Sequence, residues 1–174
     1  MLFILKVIAA LVVLAAVVIG IYILLQGKEE MFFDVTKRTK ARLTNRSEDK
    51  LEFEVELPMH NDGKEEGIIL DAFIRVYLPQ EQYADAQLRG RVNLKEAPRE
   101  DDYFEAMLLG PGVKKTMVVK FELVPEHDVT LKQAVEGMPD VDIALFLDCR
   151  GRTALYTVKK IITLHKDELQ ALLA

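Results

Sequence analysis

The sequence is poor in residues that carry nucleophilic or redox chemistry. Among 174 residues there is one cysteine, no tryptophan, and a single serine, Ser47. One cysteine cannot form an intrachain disulfide. Ser47 stands between Arg46 and Glu48, outside any Gly-x-Ser-x-Gly elbow. These absences exclude a disulfide-stapled domain and argue against a serine hydrolase.

The sequence also lacks the spacings of common metal and nucleotide sites. Its histidines, His60, His127 and His165, are scattered, and no pair has the spacing of a zinc motif. The acidic run 100–102 has no D-x-D-x-D-G calcium loop around it, and neither a Walker loop nor a GxGxxG motif occurs. We therefore predict no catalytic residue, no metal ligand and no cofactor.

One long uncharged apolar run is present, from Val7 to Leu25. At about 1.5 Å per helical residue, a run of this length covers roughly the 30 Å hydrocarbon core of a bilayer. A cleaved signal peptide would have a shorter apolar region, of about 7–15 residues, followed by small residues at the cleavage site. Residues 26–28 supply no such site. We predict a single-pass transmembrane anchor at residues 1–25, with residues 2–25 in contact with the bilayer, rather than a signal peptide or a buried soluble helix.

The segment after the anchor is basic, and the rest of the chain is acidic. We predict that residues 26–49 form a juxtamembrane stem whose cations contact anionic lipid headgroups, at about 1 kcal/mol each. The six cations are Lys28, Lys37, Arg38, Lys40, Arg42 and Arg46. A solvated first strand or linker is the alternative. Residues 47–174 carry 16 basic and 25 acidic side chains, a balance that argues against nucleic acid as a partner.

The charges give conflicting indications about the side of the membrane. The basic residues after the apolar run outnumber Lys6 and the α-amine, which favours a cytoplasmic domain. Long domains, however, translocate largely regardless of charge, and a short positive amino terminus is typical of an uncleaved signal anchor. On the second argument we predict an extracytoplasmic domain.

From residue 50 the apolar pattern changes to a period of two, which is typical of half-buried antiparallel strands. Apolar residues alternate with glutamates from Leu51 to Leu57, and we expect Pro58 with the turn residues 61–63 to end this strand. In the second strand, the even-numbered residues from 68 to 78 are predicted to face the core. The pattern predicts seven strands, at 51–57, 67–78, 88–95, 103–109, 113–124, 141–148 and 153–164.

These elements predict a mainly β fold. We expect an N-terminal transmembrane helix and then, over residues 50–174, an antiparallel β-sandwich of seven to eight strands, immunoglobulin-like or fibronectin-III-like, with one or two short helices. Thr130 and Gln133 have capping-box spacing for one helix, and residues 166–174 have the pattern of an amphipathic helix. Cys149 continues the buried phase of the sixth strand and is predicted to be an unreactive thiol. A closed barrel is the alternative architecture.

A tethered domain without an assembled catalytic group is expected to act by binding. We predict a non-enzymatic, envelope-associated binding or scaffold module for an unknown protein partner or a membrane surface. The short, basic stretch Leu88–Lys95 is the predicted exposed edge strand, where a partner strand would bind beside Arg89, Arg91 and Lys95.

Two alternatives for the function stay open. The first is a carrier that holds an apolar ligand between the sheets, against residues such as Phe53, Phe73 and Phe121. The second is a hydrolase that uses carboxylates from the acidic run 100–102 and from strand ends, brought together only by the fold.

Overall fold

An apolar helix precedes a two-sheet domain. The computed structural model describes residues 2–78, 83–99, 101, 103–152 and 154–173, apart from the side chains of Leu2 and Leu24. The helix α1 (Leu2–Gln26) contains the stretch Phe3–Ile23, which has a mean hydropathy of 3.0 and is not buried by the rest of the protein. This stretch is long and apolar enough to cross a membrane, and a signal sequence near an amino terminus has the same properties.

Among the residues that the structure describes, nine antiparallel strands form the two sheets. They are β1 (Met31–Phe33), β2 (Arg42–Arg46), β3 (Leu51–Asn61), β4 (Gly67–Tyr77), β5 (Ala86–Leu94), β6 (Met107–Leu109), β7 (Lys114–Pro125), β8 (Val141–Arg150) and β9 (Leu155–Leu164). The first sheet has the order β1-β3-β7-β5, with β2 paired to the same edge of β3 as β1, and the second has the order β6-β4-β8-β9. The predicted mainly β sandwich is confirmed. Its extra strands, β1 and β2, come from the stretch that we assigned to a stem.

The strand order has a familiar topology. If β1 and β2 are counted as one edge strand and β6 is set aside, the remaining order is the ABED and CFG arrangement of immunoglobulin constant-type domains. Parts of several predicted features lie outside the described residues: Met1 of the anchor, Pro79 after the second strand, residues 100 and 102 of the acidic run, Thr153 at the start of the seventh strand and Ala174 at the end of the C-terminal helix.

The core is built from the residues that alternate with a period of two. Each large aliphatic side chain that is fully buried there contributes about 1.5–3 kcal/mol to folding. The buried positions alternate in β3 (Leu51, Phe53, Val55, Leu57), in β7 (Met117, Val119, Phe121, Leu123) and in β8 (Val141, Ile143, Leu145, Leu147).

The strand β4 departs from its predicted pattern at Leu70. The pairing of β4 with β8 shifts between Ile69 and Asp71, so that Leu70 is the extra residue of a β-bulge. Ile69 is buried before the bulge and Ala72 after it, whereas Leu70 is exposed. The prediction that even-numbered residues face the core is therefore wrong for Ile68 and Leu70, because one inserted residue reverses the face that each side chain occupies.

The strand β3 does not end at Pro58, contrary to our prediction. The Pro58 carbonyl accepts a hydrogen bond from the amide of Asp34 (3.0 Å), where β1 has stopped and a 3-10 turn, Val35–Lys37, separates it from β2. The N and C=O of a strand residue point toward the same neighbouring strand. The nitrogen of Pro58, which carries no hydrogen, therefore faces the interruption between β1 and β2, where no strand needs its N–H. The strand therefore continues to Asn61, and none of residues 61–63 has a positive φ.

Both predicted short helices are present. The helix α2 (Leu131–Gly137) begins after Thr130. The Thr130 hydroxyl accepts a hydrogen bond from the amide of Gln133 (3.3 Å), and Gln133 Oε1 accepts one from the amide of Thr130 (2.9 Å). This is the capping box that the spacing predicted. The helix α3 (Lys166–Ala171) buries Leu169 against the sandwich.

Asn61 joins the linker after α1 (residues 27–30) to the sandwich. Its side chain is fully buried, and Oδ1 accepts hydrogen bonds from the amides of Glu30 (3.0 Å) and Gly63 (2.9 Å). Nδ2 donates to the carbonyls of Glu65 and Leu109, both at 2.8 Å. One side chain thus satisfies four backbone groups from the linker, the β3–β4 loop and β6.

We expect Asn61→Ala to lower the free energy of unfolding by about 2–4 kcal/mol, because backbone groups that Asn61 now satisfies would lose their partner. Chemical denaturation of the full chain in detergent micelles measures this change. The control Asn45→Ala removes an exposed amide that bonds Glu52 (3.0 Å) and should cost less than about 0.5 kcal/mol. Equal effects of the two changes would contradict the role of Asn61.

Candidate functional site

Arg38 closes one lateral side of the sandwich. It follows the 3-10 turn between β1 and β2, and its Nη2 donates to the carbonyl of Thr163 in β9 (2.5 Å). Both of its terminal nitrogens also donate to the carboxylate of Glu168 in α3, each at 2.8 Å. Only 13% of the Arg38 side chain and 8% of the Glu168 side chain are exposed. One guanidinium therefore links the first sheet, the second sheet and α3.

Glu168 stays ionised within this closure. Burial by itself would raise the pKa of the Glu168 carboxyl, but hydrogen bonds from Arg38 and from the amide of Ala41 outweigh burial, and the pKa is lowered. Breaking a buried pair from either side leaves an uncompensated charge, which is strongly destabilising. The protein's own groups therefore occupy the side between β9 and the β1–β2 edge.

Two of the predicted lipid contacts lie far from the linker. The strand register pairs Arg46 with Leu51, at the opposite end of β3 from Asn61, where the linker is bound. At about 3.3 Å per strand residue, the length of β3 separates these ends by roughly 30 Å. Arg46 also donates to the carbonyl of Leu173 (2.8 Å), and Arg42 is ion-paired with a glutamate of β3.

The other predicted lipid contacts are also dispersed. Lys37 is ion-paired with Asp34 (2.6 Å), and Arg38 is the buried residue described above. Lys28 and Lys40 are exposed, and Lys28 is the one member of the set in the linker directly after α1. The structure does not bring the six cations together, and their contact with lipid stays a prediction.

The opposite lateral side, between β5 and β4, is open among the described residues. The strand β5 ends the first sheet, and β6 pairs only with Gly67–Ile69 of β4. A groove of about 1030 Å³ runs along this side. Its lining includes the apolar Ile74 and Phe121 and the charged Arg89 and Glu122.

The strand β5 directs backbone groups toward this groove. Two hydrogen bonds show which residues of β5 face β7. The amide of Lys95 donates to the carbonyl of Thr116 (3.0 Å), and the amide of Glu126 donates to the carbonyl of Asp85 (2.8 Å). Because bonded residues alternate in an antiparallel ladder, the odd-numbered residues of β5 face β7. The even-numbered residues, which direct their N–H and C=O to the open side, include Leu88, Gly90 and Val92.

The predicted edge strand matches β5 in position. Arg89 and Arg91 are exposed on its outer face, while Lys95, just past its end, pairs with Glu56 at 2.7 Å. Gly90 lies between these arginines, and a Cβ there would collide with Ile74 Cδ1. The glycine therefore allows β4 and β5 to approach closely.

The three phenylalanines predicted to line a ligand cavity all belong to the lining of the groove along β5, but they do not share one face of the sandwich. Phe53 and Phe121 face the space between the sheets, but they stack on each other with ring centroids 5.1 Å apart and are buried in the core. Phe73 lies on the outer face of the second sheet, because the bulge at Leu70 sets Ala72 inward. The role of these three residues in holding an apolar ligand stays a prediction.

A surface on the second sheet was not predicted from the sequence. Phe73, Arg75 and Tyr77 of β4, Phe146 of β8 and Lys159 of β9 share its outer face, which we call the aromatic face. The alternation in β4 indicates that three of these residues share a face. The other two are added by the order and register of the strands, which no local pattern gives.

The thiol of Cys149 is buried, as predicted. Desolvation raises the pKa of this thiol to about 12, and the negative charges of Asp148 and Glu29 add to the effect. The nucleophilic thiolate is therefore scarce at neutral pH. Among the residues that the structure describes, no three His, Cys, Asp or Glu side chains are grouped to hold a metal ion.

No family model and no curated protein matches this chain. Solved structures are similar in fold. A putative ApaA protein from Bordetella pertussis is 11% identical, with 79% of this chain and 94% of that chain covered and a TM-score of 0.42. A protein from Archaeoglobus fulgidus is 6% identical, with 76% of this chain and 94% of that chain covered and a TM-score of 0.44. A yeast GGA1 GAE domain is 11% identical, with 71% of this chain and 87% of that chain covered and a TM-score of 0.37. Similarity of this degree carries no argument about function.

We expect a maleimide to modify Cys149 in the folded chain at least about a hundredfold more slowly than a cysteine placed at the exposed loop residue Asp62. The reason is that burial and the raised pKa leave almost no accessible thiolate. Mass spectrometry of a time course at neutral pH, with a Cys149→Ala, Asp62→Cys chain as the comparison, measures both rates. The two thiols should react alike in denaturant. Rapid labelling of Cys149 in the folded chain would show the burial to be wrong.

Proposed function

We propose that this chain is a membrane-tethered, non-enzymatic binding module that takes an extended segment of a protein partner as an added strand on β5. The observation that carries the proposal is the row of backbone groups at Leu88, Gly90 and Val92, which face the groove with no strand beside them among the described residues. Strand addition gives those donors and acceptors their missing partners, and main-chain hydrogen bonds then supply the affinity.

A comparison of the sheet edges supports β5 as the site. The outer edge of β3 is covered by β1 and β2, and the start of β4 is covered by β6. The edge of β9 is engaged at Thr163 by Arg38. By contrast, β5 is nine residues long and borders the groove. Its exposed arginines, Arg89 and Arg91, deter unspecific pairing but leave the outward amides accessible.

We expect Val92→Pro to abolish retention of a partner that binds by strand addition, because proline removes an outward N–H. It leaves the bonds to β7 intact, since those come from odd-numbered residues. The experiment compares affinity purification of the full chain from membranes of its own cells. Val92→Ala, which keeps the amide, is the matched control.

Both variants should show the same thermal unfolding midpoint within a few degrees, since proline is tolerated on edge strands. A partner retained equally by both variants would rule out strand addition at β5. Loss of the partner with Val92→Ala as well would also count against strand addition, because that variant keeps the amide and shortens only a side chain that is buried in the core.

The tether in this proposal is α1 together with a short, ordered linker. Gly27–Glu30 are the only residues between α1 and β1, and the linker is bonded to the β3–β4 loop. The carbonyls of Lys28 and Glu30 accept hydrogen bonds from the amides of Lys64 and Asp62, both at 3.0 Å. An anchored α1 would therefore hold this end of the sandwich close to the bilayer.

We expect a membrane-impermeant maleimide to label the Cys149→Ala, Asp62→Cys chain in intact cells, because the proposal keeps the sandwich outside the cytoplasm. Asp62 is exposed, whereas the native thiol is buried and cannot report orientation. Labelling after membrane permeabilisation is the control for reactivity. Labelling only after permeabilisation would place the domain in the cytoplasm, and a labelled product that lacks α1 would exclude the tether.

A further inference from the structure

The aromatic face lies on the second sheet and does not depend on the β5 edge. Phe73 and Phe146 are paired across β4 and β8, and their rings stack 5.1 Å apart at 9°. Lys159 is paired with Phe146 from β9. Phe73 and Tyr77 are both exposed. Three strands thus present a cluster of rings and cations to solvent.

The two cations of the aromatic face lie over aromatic rings. Arg75 Cζ lies 5.6 Å from the centroid of the Phe146 ring. Lys159 Nζ lies 5.6 Å from the same centroid and 5.5 Å from that of Tyr77. Among the residues that the structure describes, neither cation is ion-paired with a carboxylate. Two positive charges therefore share one ring, and they repel each other.

Three carboxylates lie on the same face, and each accepts a hydrogen bond from a neutral donor. Asp71, which is paired with Asp148, accepts one from the amide of Ala72 (2.8 Å). Asp142 accepts a hydrogen bond from the hydroxyl of Thr163, and Asp148 accepts one from the hydroxyl of Thr157, each at 2.7 Å. Both hydroxyls belong to β9, in register with their aspartates. A hydrogen bond from a neutral donor leaves each aspartate charged. Neither Arg75 nor Lys159 is ion-paired with one of these aspartates, so both cations can pair with an incoming carboxylate.

We propose that the aromatic face binds a protein segment that carries a carboxylate beside an aromatic or aliphatic side chain. The carboxylate neutralises Arg75 and Lys159, and the apolar side chain packs on Phe73, Phe146 and Tyr77. Aromatic residues and arginine are the residues most enriched at the centres of protein interfaces.

The charge of the domain favours such a segment over a polyanion. Residues 47–174 carry 16 basic and 25 acidic side chains, and this excess of negative charge repels an extended nucleic acid or acidic polysaccharide. A single carboxylate mainly feels charges within a Debye length, about 8 Å at physiological salt. The charged groups of Arg75 and Lys159 both lie within that distance, 5.6 Å from the centroid of the Phe146 ring.

The experiment selects binders without assuming their sequence. The full chain, held in nanodiscs of neutral phosphatidylcholine, is immobilised and panned with a phage library of random peptides. We expect the enriched peptides to carry Asp or Glu next to aromatic or aliphatic residues. Synthetic copies should bind the Arg75→Gln, Lys159→Gln chain at least tenfold more weakly in fluorescence anisotropy.

Two control variants separate this surface from other effects. Lys114→Gln, Lys132→Gln removes the same charge from other exposed positions and should leave affinity within threefold of wild type. Val92→Pro removes the β5 amide, so that peptides of the aromatic face should bind it unchanged. Peptides that lose affinity only for Val92→Pro belong to the strand-addition site, so the two proposals fail separately.

Several results would overturn the assignment. Enriched peptides without acidic residues would do so, as would peptides that bind the Arg75→Gln, Lys159→Gln chain as tightly as wild type. Stronger binding of heparin than of any acidic peptide, lost in the same variant, would assign the face to a polyanion. A wild-type chain that dimerises in nanodiscs, with a monomeric Arg75→Gln, Lys159→Gln chain, would assign it to a second copy.

Discussion

Backbone groups at the margins of a sheet need partners, and this constraint decides how the domain is built. Two sheets have four outer edges, and each edge presents a row of N–H and C=O groups. The outer edge of β3 is covered by β1 and β2, and the gap between them lies opposite Pro58, which has no N–H to lose. Arg38 reaches across to β9. The strand β5 has no strand beside its outer edge among the described residues and borders the groove, which is why strand addition is proposed there.

The same need for hydrogen bonds explains how the linker is held. Between α1 and β1 the backbone is irregular, and Asn61 gives the amide of Glu30 a buried acceptor. The fixed position of Asn61 at the end of β3 comes from its own backbone, which accepts from the amide of Gly112 (2.7 Å). The helix is therefore followed by a linker that is hydrogen-bonded to the sandwich.

Local patterns predicted the core well because burial in a strand repeats every two residues. The alternations in β3, β7 and β8 and the capping box at Thr130 required no knowledge of distant partners. Leu70 and Pro58 were read wrongly for one common reason. Whether an inserted residue or a missing N–H is tolerated depends on the neighbouring strand, and that neighbour is distant in sequence. The burial of Arg38 was missed in the same way, because its partner is Glu168 in the last helix.

The two proposed binding surfaces also differ in how far a local sequence pattern could predict them. The β5 edge was predictable, since a short, glycine-containing, basic strand is typical of a guarded edge. The aromatic face was not, because its rings come from strands that only the sheet order makes adjacent. The bulge at Leu70 is what exposes Phe73 and Tyr77: continuing the phase of Ile69 would have turned both rings inward. Exposed aromatic clusters on soluble domains mark interaction sites. Since Phe73 and Tyr77 also line the groove along β5, the two surfaces meet at β4, where one partner can contact both.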